Sequence, residues 1–419
     1  MRIFNRPLNI VVIDNAAYPL TYGYMQEIFG RCLPERGHNV TWLLMSTDAD
    51  KMGESRRFGL TDVVLAKMMN KRSRYATFVN YFYNKPRITR LLPVVANSCH
   101  MDVLFVRNHV RVGFSAYRFC RKNNVPFVYY LGYPYLESHL LAARLGHRRP
   151  RFITEAAAFV GVPLRNWITR RADFVFTMSE YWREQVIKEL NIPSNRIQAL
   201  PAGFNTSINP EKVDGTWVRR QFNLNNYPTL FYMGTITPPR DMSILVDIMA
   251  EVVKQIPEAK LLLLPVYGEE KRVPILRQEF VKKGLEKSVI FSAPVPYEQV
   301  PRYIAACHLG VSPIETIPLY NVSSPYKFAE MLGMACPVVA SDTPDQSYVL
   351  NKSGGGICVP YNPDAFAKAI VYILNNPDEA ERMGMRGRTF IEKERSYDVL
   401  AKRIEKVFFQ LVHKESFNK

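Results

Sequence analysis

Residues 311–342 read VSPIETIPLYNVSSPYKFAEMLGMACPVVASD, and the rest of the chain is organised around this stretch. It predicts a strand, a long loop, a helix and a second strand, in that order. Ser324 followed by Pro325 is typical of a helix start, since a serine side chain can cap free backbone amides and proline fits the first turn. We predict a helix that runs to about Leu332 and is stopped by Gly333.

The predicted helix start has the features of an anion site. Free N–H groups and a partial positive charge at a helix N-terminus suit a phosphate. Lys327, one turn into the helix, adds a full charge, and Glu330, one turn further, can accept hydrogen bonds from a sugar or ribose hydroxyl. The alternative is an ordinary strand–helix–strand crossover, in which Lys327 and Glu330 form an exposed pair of opposite charges three residues apart.

Length and charge limit the classes of protein to which the chain can belong. The 419 residues predict two domains or more, each large enough for its own core. The net charge is +17, which favours an anionic partner: nucleic acid, an anionic membrane surface or a phosphorylated substrate. The six cysteines are scattered without a CxxC pair, which is typical of reduced thiols in a cytosol and argues against a zinc site or a disulfide framework.

Hydropathy predicts no membrane-spanning segment. The first apolar run, in MRIFNRPLNIVVID, is too short for a signal sequence or a span, and no stretch of 18 apolar residues follows. We therefore expect a cytoplasmic protein that, if it meets a membrane, lies on its cytoplasmic face.

The pattern of strands and helices occurs twice along the chain. A strand at 9–14, a helix at about 25–36 and a further strand form a βαβ unit, whose loop has Gly23 as its one glycine, a weak phosphate signal. The pattern restarts at Thr229 after a stretch of low apolar density. The fold class predicted is α/β, with two doubly wound Rossmann-like domains facing a cleft. We place the domains at 1–205 and 206–395, with a C-terminal helix in 396–419 that packs back toward the first domain.

The segment from Val63 to Met101 differs from the rest of the chain because it is basic and aromatic. It has no acidic residue and seven basic ones: Lys67, Lys71, Arg72, Arg74, Lys85, Arg87 and Arg90. If it is helical, its apolar residues Met68, Tyr75, Phe78 and Phe82 share one face, as in an interfacial helix. The alternative is a helix packed by that face on its own sheet. Nucleic acid is disfavoured, since no recognised binding module accompanies the charge.

A second basic cluster follows the first. It consists of Arg144, His147, Arg148, Arg149 and Arg151.

Three motifs in the second half resemble those of the retaining glycosyltransferases of family 4, which have the GT-B fold. ADFVFTMS followed by NRIQALPAGFN is similar to the run before that family's interdomain linker. FYMGTITPPRDMSILVDIMA is similar to the start of its donor domain, and SSPYKFAEMLGMACPVVASD to its signature. The three occur in the family's order and spacing, so the resemblance covers nearly the whole chain and is strongest from Ala172 onward.

The resemblance implies a nucleotide-sugar donor as substrate, no cofactor and no bound metal. Lys327 and Arg240 would contact the diphosphate, where charge builds as the nucleotide leaves. The remaining donor-binding residues that it implies are Gly23, Gly234, Thr235, Ser323, Ser324 and Glu330. Transfer would retain the anomeric configuration, and front-face attack fits better than double displacement because no carboxylate nucleophile is placed.

The chain departs from the family pattern at several positions. The family often has a glutamate eight residues before the one matched by Glu330, and here that position is Val322. A glycine pair commonly follows the first strand, where this chain has Gly23. The cleft histidine that often ends the strand at 102–107 is replaced by Arg107, with His109 two residues on. We predict that Arg107 or His109 is catalytic, without separating the two.

The sequence thus predicts a metal-independent glycosyltransferase that moves a sugar to a lipid-linked, glycan or other anionic acceptor in glycan or polysaccharide assembly, bound peripherally to a membrane. The first alternative is a soluble transferase with a small sugar or sugar-phosphate acceptor. The second is a catalytically weak GT-B partner subunit, suggested by the missing glutamate. A nucleotide-sugar epimerase on the same fold is disfavoured by the signature.

Overall fold

The computed structural model describes residues 6–20, 23–49, 51–68, 87–147, 151–236, 242–265 and 273–413. By contacts the chain divides into two compact units. Unit 1 comprises Met1–Leu140, Arg149–Pro201 and Tyr397–Lys419, and unit 2 comprises Leu141–Arg148 and Ala202–Ser396. Each unit is built on its own largely parallel sheet, and the predicted pair of α/β domains is confirmed.

Unit 1 contains an eight-stranded sheet in the order β3-β4-β2-β1-β5-β6-β7-β8. Its strands are β1 (Asn9–Ala17), β2 (Asn39–Ser46), β3 (Glu54–Phe58), β4 (Thr61–Lys67), β5 (Val103–Arg107), β6 (Phe127–Leu131), β7 (Phe174–Thr177) and β8 (Ile197–Ala199). The central strands are short apolar runs covered on both faces, so nearly every residue in them is buried. The strand order reverses between β1 and β5, and ligands of open α/β sheets bind outside such a reversal.

The helices of the first half connect these strands. They are α1 (Gly23–Met25, π-helical Gln26–Cys32 and Leu33–Glu35), α2 (Leu91–Ser98), α3 (Val110–Asn123), α4 (Tyr135–Arg144), α5 (Arg151–Arg171) and α6 (Glu180–Leu190). Ser179 caps α6 through a hydrogen bond that its side chain accepts from the Trp182 amide. Within the described residues no helix has both the length and the hydropathy needed to cross a bilayer.

An antiparallel hairpin at the edge of this sheet corrects one prediction. Strands β3 and β4 form it, and β4 also pairs in parallel with β2. The segment beginning at Val63 is therefore a strand at its start, because the consecutive apolar residues Val63–Ala66 add to the buried sheet. Tyr75, Phe78 and Phe82, on which the helical face was predicted, lie outside the described residues.

Unit 2 contains a six-stranded, wholly parallel sheet in the order β11-β10-β9-β12-β13-β14. Its strands are β9 (Thr229–Gly234), β10 (Lys260–Pro265), β11 (Val289–Phe291), β12 (Leu309–Ser312), β13 (Val338–Ser341) and β14 (Gly356–Val359). The order reverses between β9 and β12, and two apolar clusters cover the sheet.

The helices of the second half are as follows. They are α7 (Thr216–Gln221), α8 (Ile244–Gln255), α9 (Val273–Lys282), α10 (Val300–Ala305), α11 (Pro318–Asn321), α12 (Tyr326–Gly333), α13 (Pro344–Ser353), α14 (Pro363–Asn375), α15 (Pro377–Phe390), continued by a π-helical turn at Ile391–Arg395, and α16 (Tyr397–Val412).

Helix α16 belongs to unit 1 although it follows unit 2 in sequence. Its Phe408 ring lies 6.4 Å from the ring of Phe105 in β5. Glu405 accepts hydrogen bonds from Arg36 and contacts His38 Nε2 at 2.9 Å. Burial would raise the pKa of the Glu405 carboxyl, but the hydrogen bonds from Arg36 and His38 outweigh it and lower that pKa.

Candidate active site

Lys327 lies at the strand-order reversal of unit 2. Its side chain is 8% exposed and its Nζ is 4.1 Å from the centre of the Tyr232 ring, a cation–π contact. Gly234, the last residue of β9, has φ +135°, and a Cβ there would lie 3.3 Å from Lys327 Nζ. The glycine thus lets a buried cation approach the backbone at the carboxyl end of the sheet.

A small pocket opens beside this cation. Its lining residues come from the loop after β12, from α11 and α12, and from two other loops: Met242, Pro313, Ile314, Glu315, Tyr320, Lys327 and Tyr361. A recess that combines a buried ammonium with a close backbone suits a phosphate oxygen. Thr235 contributes its carbonyl, which accepts a hydrogen bond from the Tyr232 hydroxyl at 3.0 Å.

Glu330 lies one turn further along α12 and is 6% exposed, which rules out the exposed ion pair with Lys327. Burial raises the pKa of its carboxyl to about 7, and a hydrogen bond with Tyr297 counteracts only part of that rise. The group therefore changes charge near neutral pH. A carboxylate in this position can accept hydrogen bonds from hydroxyls of a ligand.

Ser324 does not cap α12, so that prediction was wrong. The N-cap residue is Pro325, and the helix start has no side-chain cap. The Ser324 hydroxyl instead donates to Asp345 Oδ2 at 2.8 Å and accepts from the Ala202 amide at 3.0 Å. The hydroxyl donates to a buried carboxylate, a charge-assisted hydrogen bond that is stronger than one between neutral groups.

Asp345 forms a buried ion pair that completes this cluster. Arg395 donates to both of its carboxylate oxygens, at 3.0 and 2.7 Å, and both side chains are nearly inaccessible. The Arg395 carbonyl also accepts a hydrogen bond from the Phe204 amide at 3.1 Å. The segment that precedes α12 is thus tied to residues next to two of the points where the chain passes between the units, at 201–202 and at 396–397.

Gly333 has a packing role at the end of α12, not the predicted role of a helix stop. The helix includes Gly333, and a Cβ on that residue would lie 2.4 Å from Phe204 side-chain atoms. Ala335 takes up the left-handed conformation that reverses the chain, with φ 54°. The glycine is needed because an aromatic ring lies against its Cα.

Ser323 is held by the residues immediately before it. Both its amide and its hydroxyl donate to the carbonyl of Tyr320, the amide at 2.9 Å. A role for the Ser323 amide in phosphate binding would therefore require it to leave or share this bond.

Arg107 and His109 lie at the strand-order reversal of unit 1. Arg107 ends β5, donates to both carboxylate oxygens of Asp14 at 3.2 and 3.1 Å, and has its guanidinium 5.0 Å from the centre of the Tyr24 ring. His109 precedes α3, and its Nε2 lies 3.3 Å from the Asp14 carbonyl oxygen. The structure therefore brings both residues to Asp14, Arg107 to its carboxylate and His109 to its main-chain carbonyl, and Asp14 itself was not predicted.

The remaining predicted residues fall outside these clusters. Gly23 begins α1 in unit 1, whereas the other described donor-binding candidates belong to unit 2. Arg240 lies outside the described residues. Among the described residues no group of three or more His, Cys, Asp or Glu side chains is arranged to hold a metal ion.

Sequence reasoning missed four residues that organise these sites: Asp14, Tyr232, Asp345 and Arg395. Asp14 had a usable signal, since it ends the apolar run NIVVID at the ligand edge of a sheet. Asp345 and Arg395 had none, because 50 residues separate the two partners.

Comparison with protein families gives two matches in sequential order. The model described as Glycosyltransferase Family 4 matches residues 28–208, and the model described as Glycosyl transferases group 1 matches residues 227–376. Among curated proteins, the chain is 22% identical over 275 residues to a GDP-mannose-dependent alpha-(1-6)-phosphatidylinositol monomannoside mannosyltransferase of Mycobacterium tuberculosis (strain CDC 1551 / Oshkosh). That match covers 64% of this chain and 68% of the relative.

Solved structures share the fold along almost the whole chain. A sucrose-phosphate synthase from Thermosynechococcus elongatus superposes with a TM-score of 0.74 at 17% identity, covering 97% of this chain and all of that one. HepE of Anabaena, in complex with UDP-glucose, superposes with a TM-score of 0.65 at 16% identity, covering 96% and 99% of the two chains. At such identities the likeness is one of fold.

Proposed function

Since the chain belongs to the family 4 glycosyltransferases with the GT-B fold, we propose that it transfers a sugar, with retention of configuration, from a nucleotide sugar to a lipid-linked or other anionic acceptor. The setting is glycan or polysaccharide assembly at the cytoplasmic face of a membrane. The observation that carries the proposal is the position of Lys327, a buried cation against the backbone of Gly234 at the strand-order reversal of unit 2.

Lys327 has the role of stabilising the leaving group. When the bond between sugar and nucleotide breaks, negative charge grows on the β-phosphate oxygens, and a fixed cation in a buried recess lowers the energy of that state. The proposal includes independence of a bound metal, since Lys327, with Arg240 as its predicted partner, supplies the positive charge.

Glu330 has the role of binding the ribose. Its buried carboxylate lies one turn beyond Lys327 on α12, which corresponds to the spacing between a diphosphate and the ribose attached to it. Val322 carries no polar group for the transferred sugar, so we assign the sugar contacts to main-chain atoms of residues 319–322.

Front-face attack is consistent with the environment of the buried Asp14 carboxylate in unit 1. Asp14 is 1% exposed and receives two hydrogen bonds from Arg107, so it is poorly placed as a covalent nucleophile. In front-face transfer the acceptor hydroxyl attacks the anomeric carbon on the side from which the nucleotide leaves. Its proton passes to the departing phosphate oxygen, and we assign Arg107 and His109 to binding of the acceptor.

The charge of the chain supports an anionic acceptor. The net charge of +17 attracts phosphorylated lipids and the surface that contains them. The mycobacterial relative acts, by its name, on a phosphatidylinositol monomannoside, and GDP-mannose is therefore the first donor to test, with UDP-glucose beside it.

Donor binding by the full chain tests the central part of the proposal. A donor that binds only the folded chain raises its melting temperature. We expect such a rise with GDP-mannose or UDP-glucose, and its loss in Lys327→Ala. The matched control is Lys352→Ala, which removes an exposed lysine of α13 in the same unit. An equal rise in wild type and Lys327→Ala would overturn the assignment of the donor site.

Product analysis tests the remaining parts. Transfer to a phosphorylated lipid acceptor in the presence of a chelator is expected to continue, with the anomeric configuration of the donor preserved in the product by NMR. Inverted product would refute retention, and loss of activity that added divalent cation restores would refute metal independence. Transfer to free sugar phosphates but not to lipid would favour the soluble alternative.

A further inference from the structure

Helix α5 exposes an apolar face to solvent. Phe152 is 70% exposed and Phe159 is 83% exposed, and both point away from the core of unit 1. Ala156 and Pro163 are also exposed, so the apolar positions follow the spacing of four, three and four residues that places side chains on one face of a helix. Val160, 65% exposed, widens this face by one position.

The opposite face of α5 is well packed, so the exposed face is not a sign of a poorly seated helix. Gly161 is buried against Leu136, and a Cβ there would come within 2.8 Å of that side chain. Ile168 is fully buried, and the Trp167 ring packs on Phe114 and Tyr117 at 5.4 and 5.3 Å. The helix is therefore fixed by one side while it presents phenylalanines on the other.

Arginines are frequent in the sequence around this apolar face, and the one acidic residue of α5, Glu155, accepts a hydrogen bond from Arg151. Residues 138–154 contain four arginines, two histidines and no Asp or Glu, and α5 itself carries four arginines against one glutamate. Two of the flanking arginines, Arg148 and Arg149, lie outside the described residues. An apolar helix face bordered by arginines is the composition of segments that lie in the interfacial plane of a bilayer.

We propose that the exposed face of α5, Phe152, Ala156, Phe159, Val160 and Pro163, docks unit 1 on an anionic lipid bilayer by inserting its phenylalanine rings among the lipid chains. This inference rests on the proposed membrane-bound acceptor and assigns the surface that holds the enzyme beside it. The positive charge of the chain attracts lipid phosphates, while the rings supply an apolar contribution that salt does not screen.

Charge favours a bilayer over a second copy of the chain as the occupant of this face. Two copies would bring together two chains of net charge +17, and those charges repel. An anionic surface is complementary to the positive charge of the chain. The apolar face and the positive charge of the chain then act together, whereas in a dimer they would oppose each other.

Vesicle flotation with the full chain tests the proposal. The probes are vesicles of phosphatidylcholine alone and of phosphatidylcholine mixed with phosphatidylglycerol, each in low and high salt. We expect wild type to float with the anionic vesicles and Phe152→Ser/Phe159→Ser to bind them at least about tenfold more weakly. The control Ile275→Ser/Val281→Ser removes two comparably exposed apolar side chains from α9 and is expected to bind like wild type.

A substitution that keeps the apolar character gives a second measurement. Phe159→Trp is expected to retain binding, and its added indole emission shifts to the blue with anionic vesicles and is quenched by brominated lipid chains. An indole that remains in water while the protein is bound would overturn the insertion of this face.

The outcomes separate this inference from the proposed function. If wild type and Phe152→Ser/Phe159→Ser float equally, α5 is not the docking surface, while donor binding still supports the transferase. If wild type fails to float and sediments as a dimer that the double substitution makes monomeric, the face binds a second copy and the inference is wrong. If neither GDP-mannose nor UDP-glucose binds, the proposed function is the part that fails.

Discussion

Helix α12 buries a lysine and a glutamate, whereas helix α5 leaves two phenylalanines in solvent. Each departs from the usual distribution of side chains, in which charged groups are almost never buried and a clustered apolar face seldom stays exposed. Neither departure is explained by the stability of the fold. The two helices differ in the kind of partner that their unusual side chains suit. The charges of α12 suit a ligand that complements them, and the apolar face of α5 suits a surface that covers it.

The energetic consequences of the two departures are also opposite. Burying Lys327 and Glu330 costs free energy of folding, which packing and hydrogen bonds around α12 must offset. Exposing Phe152 and Phe159 costs little, because the unfolded chain exposes them as well. Substitutions should therefore change stability strongly around α12 and weakly on the outer face of α5, and three predictions test that contrast.

The largest expected effect comes from the ion pair that holds the segment before α12. Asp345→Asn leaves Arg395 buried without its counter-charge, and breaking such a pair costs about 3–5 kcal/mol of unfolding free energy. Chemical denaturation measures the loss. The double substitution Asp345→Asn/Arg395→Met removes the orphaned charge and should recover part of it. If Asp345→Asn left the unfolding free energy unchanged within experimental error, the ion pair would not be what holds the segment before α12.

Glu330→Gln is expected to raise the unfolding free energy by an amount that grows as pH rises from about 4.5 to about 7 and persists at higher pH. The pKa of Glu330 is about 7 in the folded chain and near 4.5 when unfolded, so the folded state binds more protons between these values and stability falls as pH rises through them. The variant has no carboxyl group to ionise at this position. The difference in unfolding free energy between the variant and wild type should therefore grow from nothing near pH 4 to about 3 kcal/mol above pH 7.

Denaturation at several pH values measures that difference. Glu298→Gln is the control, since Glu298 is exposed and adjoins the same Tyr297. A constant difference across the pH range would mean that the Glu330 carboxyl is solvated and that α12 does not bury its acid.

The smallest effect is expected on the outer face of α5. Phe159→Ser should change the unfolding free energy by no more than about 0.5 kcal/mol, because the ring has little contact to lose. Ile168→Ala, on the buried face of the same helix, should cost about 2–5 kcal/mol. Thermal or chemical denaturation compares the two. A large loss in Phe159→Ser would show that the ring packs within the folded chain and would weaken the docking inference.

The fold followed from sequence where local pattern decides it. The apolar runs at 9–14 and 102–107 predicted strands, and both lie in the unit 1 sheet as the neighbouring parallel strands β1 and β5. The hairpin of β3 and β4 was missed because its second strand lies in a basic, aromatic segment whose pattern also suits a helix. Pairing with β2, a contact between distant parts of the chain, decides between the two.

The main residues of the candidate site were predictable from the sequence, but the hydrogen bonds and ion pairs that hold them were not. The signature and the strand ends pointed to Lys327 and Glu330 together, and to Arg107 and His109. The partners are distant in sequence: Asp14 lies 93 residues from Arg107, and Asp345 lies 21 residues from Ser324. Local rules assigned Ser324 to a helix cap because no local pattern reveals a carboxylate brought in by the fold.

Helix α16 sets an order of events during synthesis on the ribosome. The chain from Ala202 to Ser396, which forms most of unit 2, is made before the helix that supplies Glu405 to Arg36 and packs Phe408 beside Phe105. At typical rates of translation, roughly 200 residues take about 10–40 seconds. During that interval the first unit is incomplete while the second can already fold. A chain whose synthesis stops shortly after Ser396 would therefore have an incomplete unit 1, although the residues of unit 2 are all present.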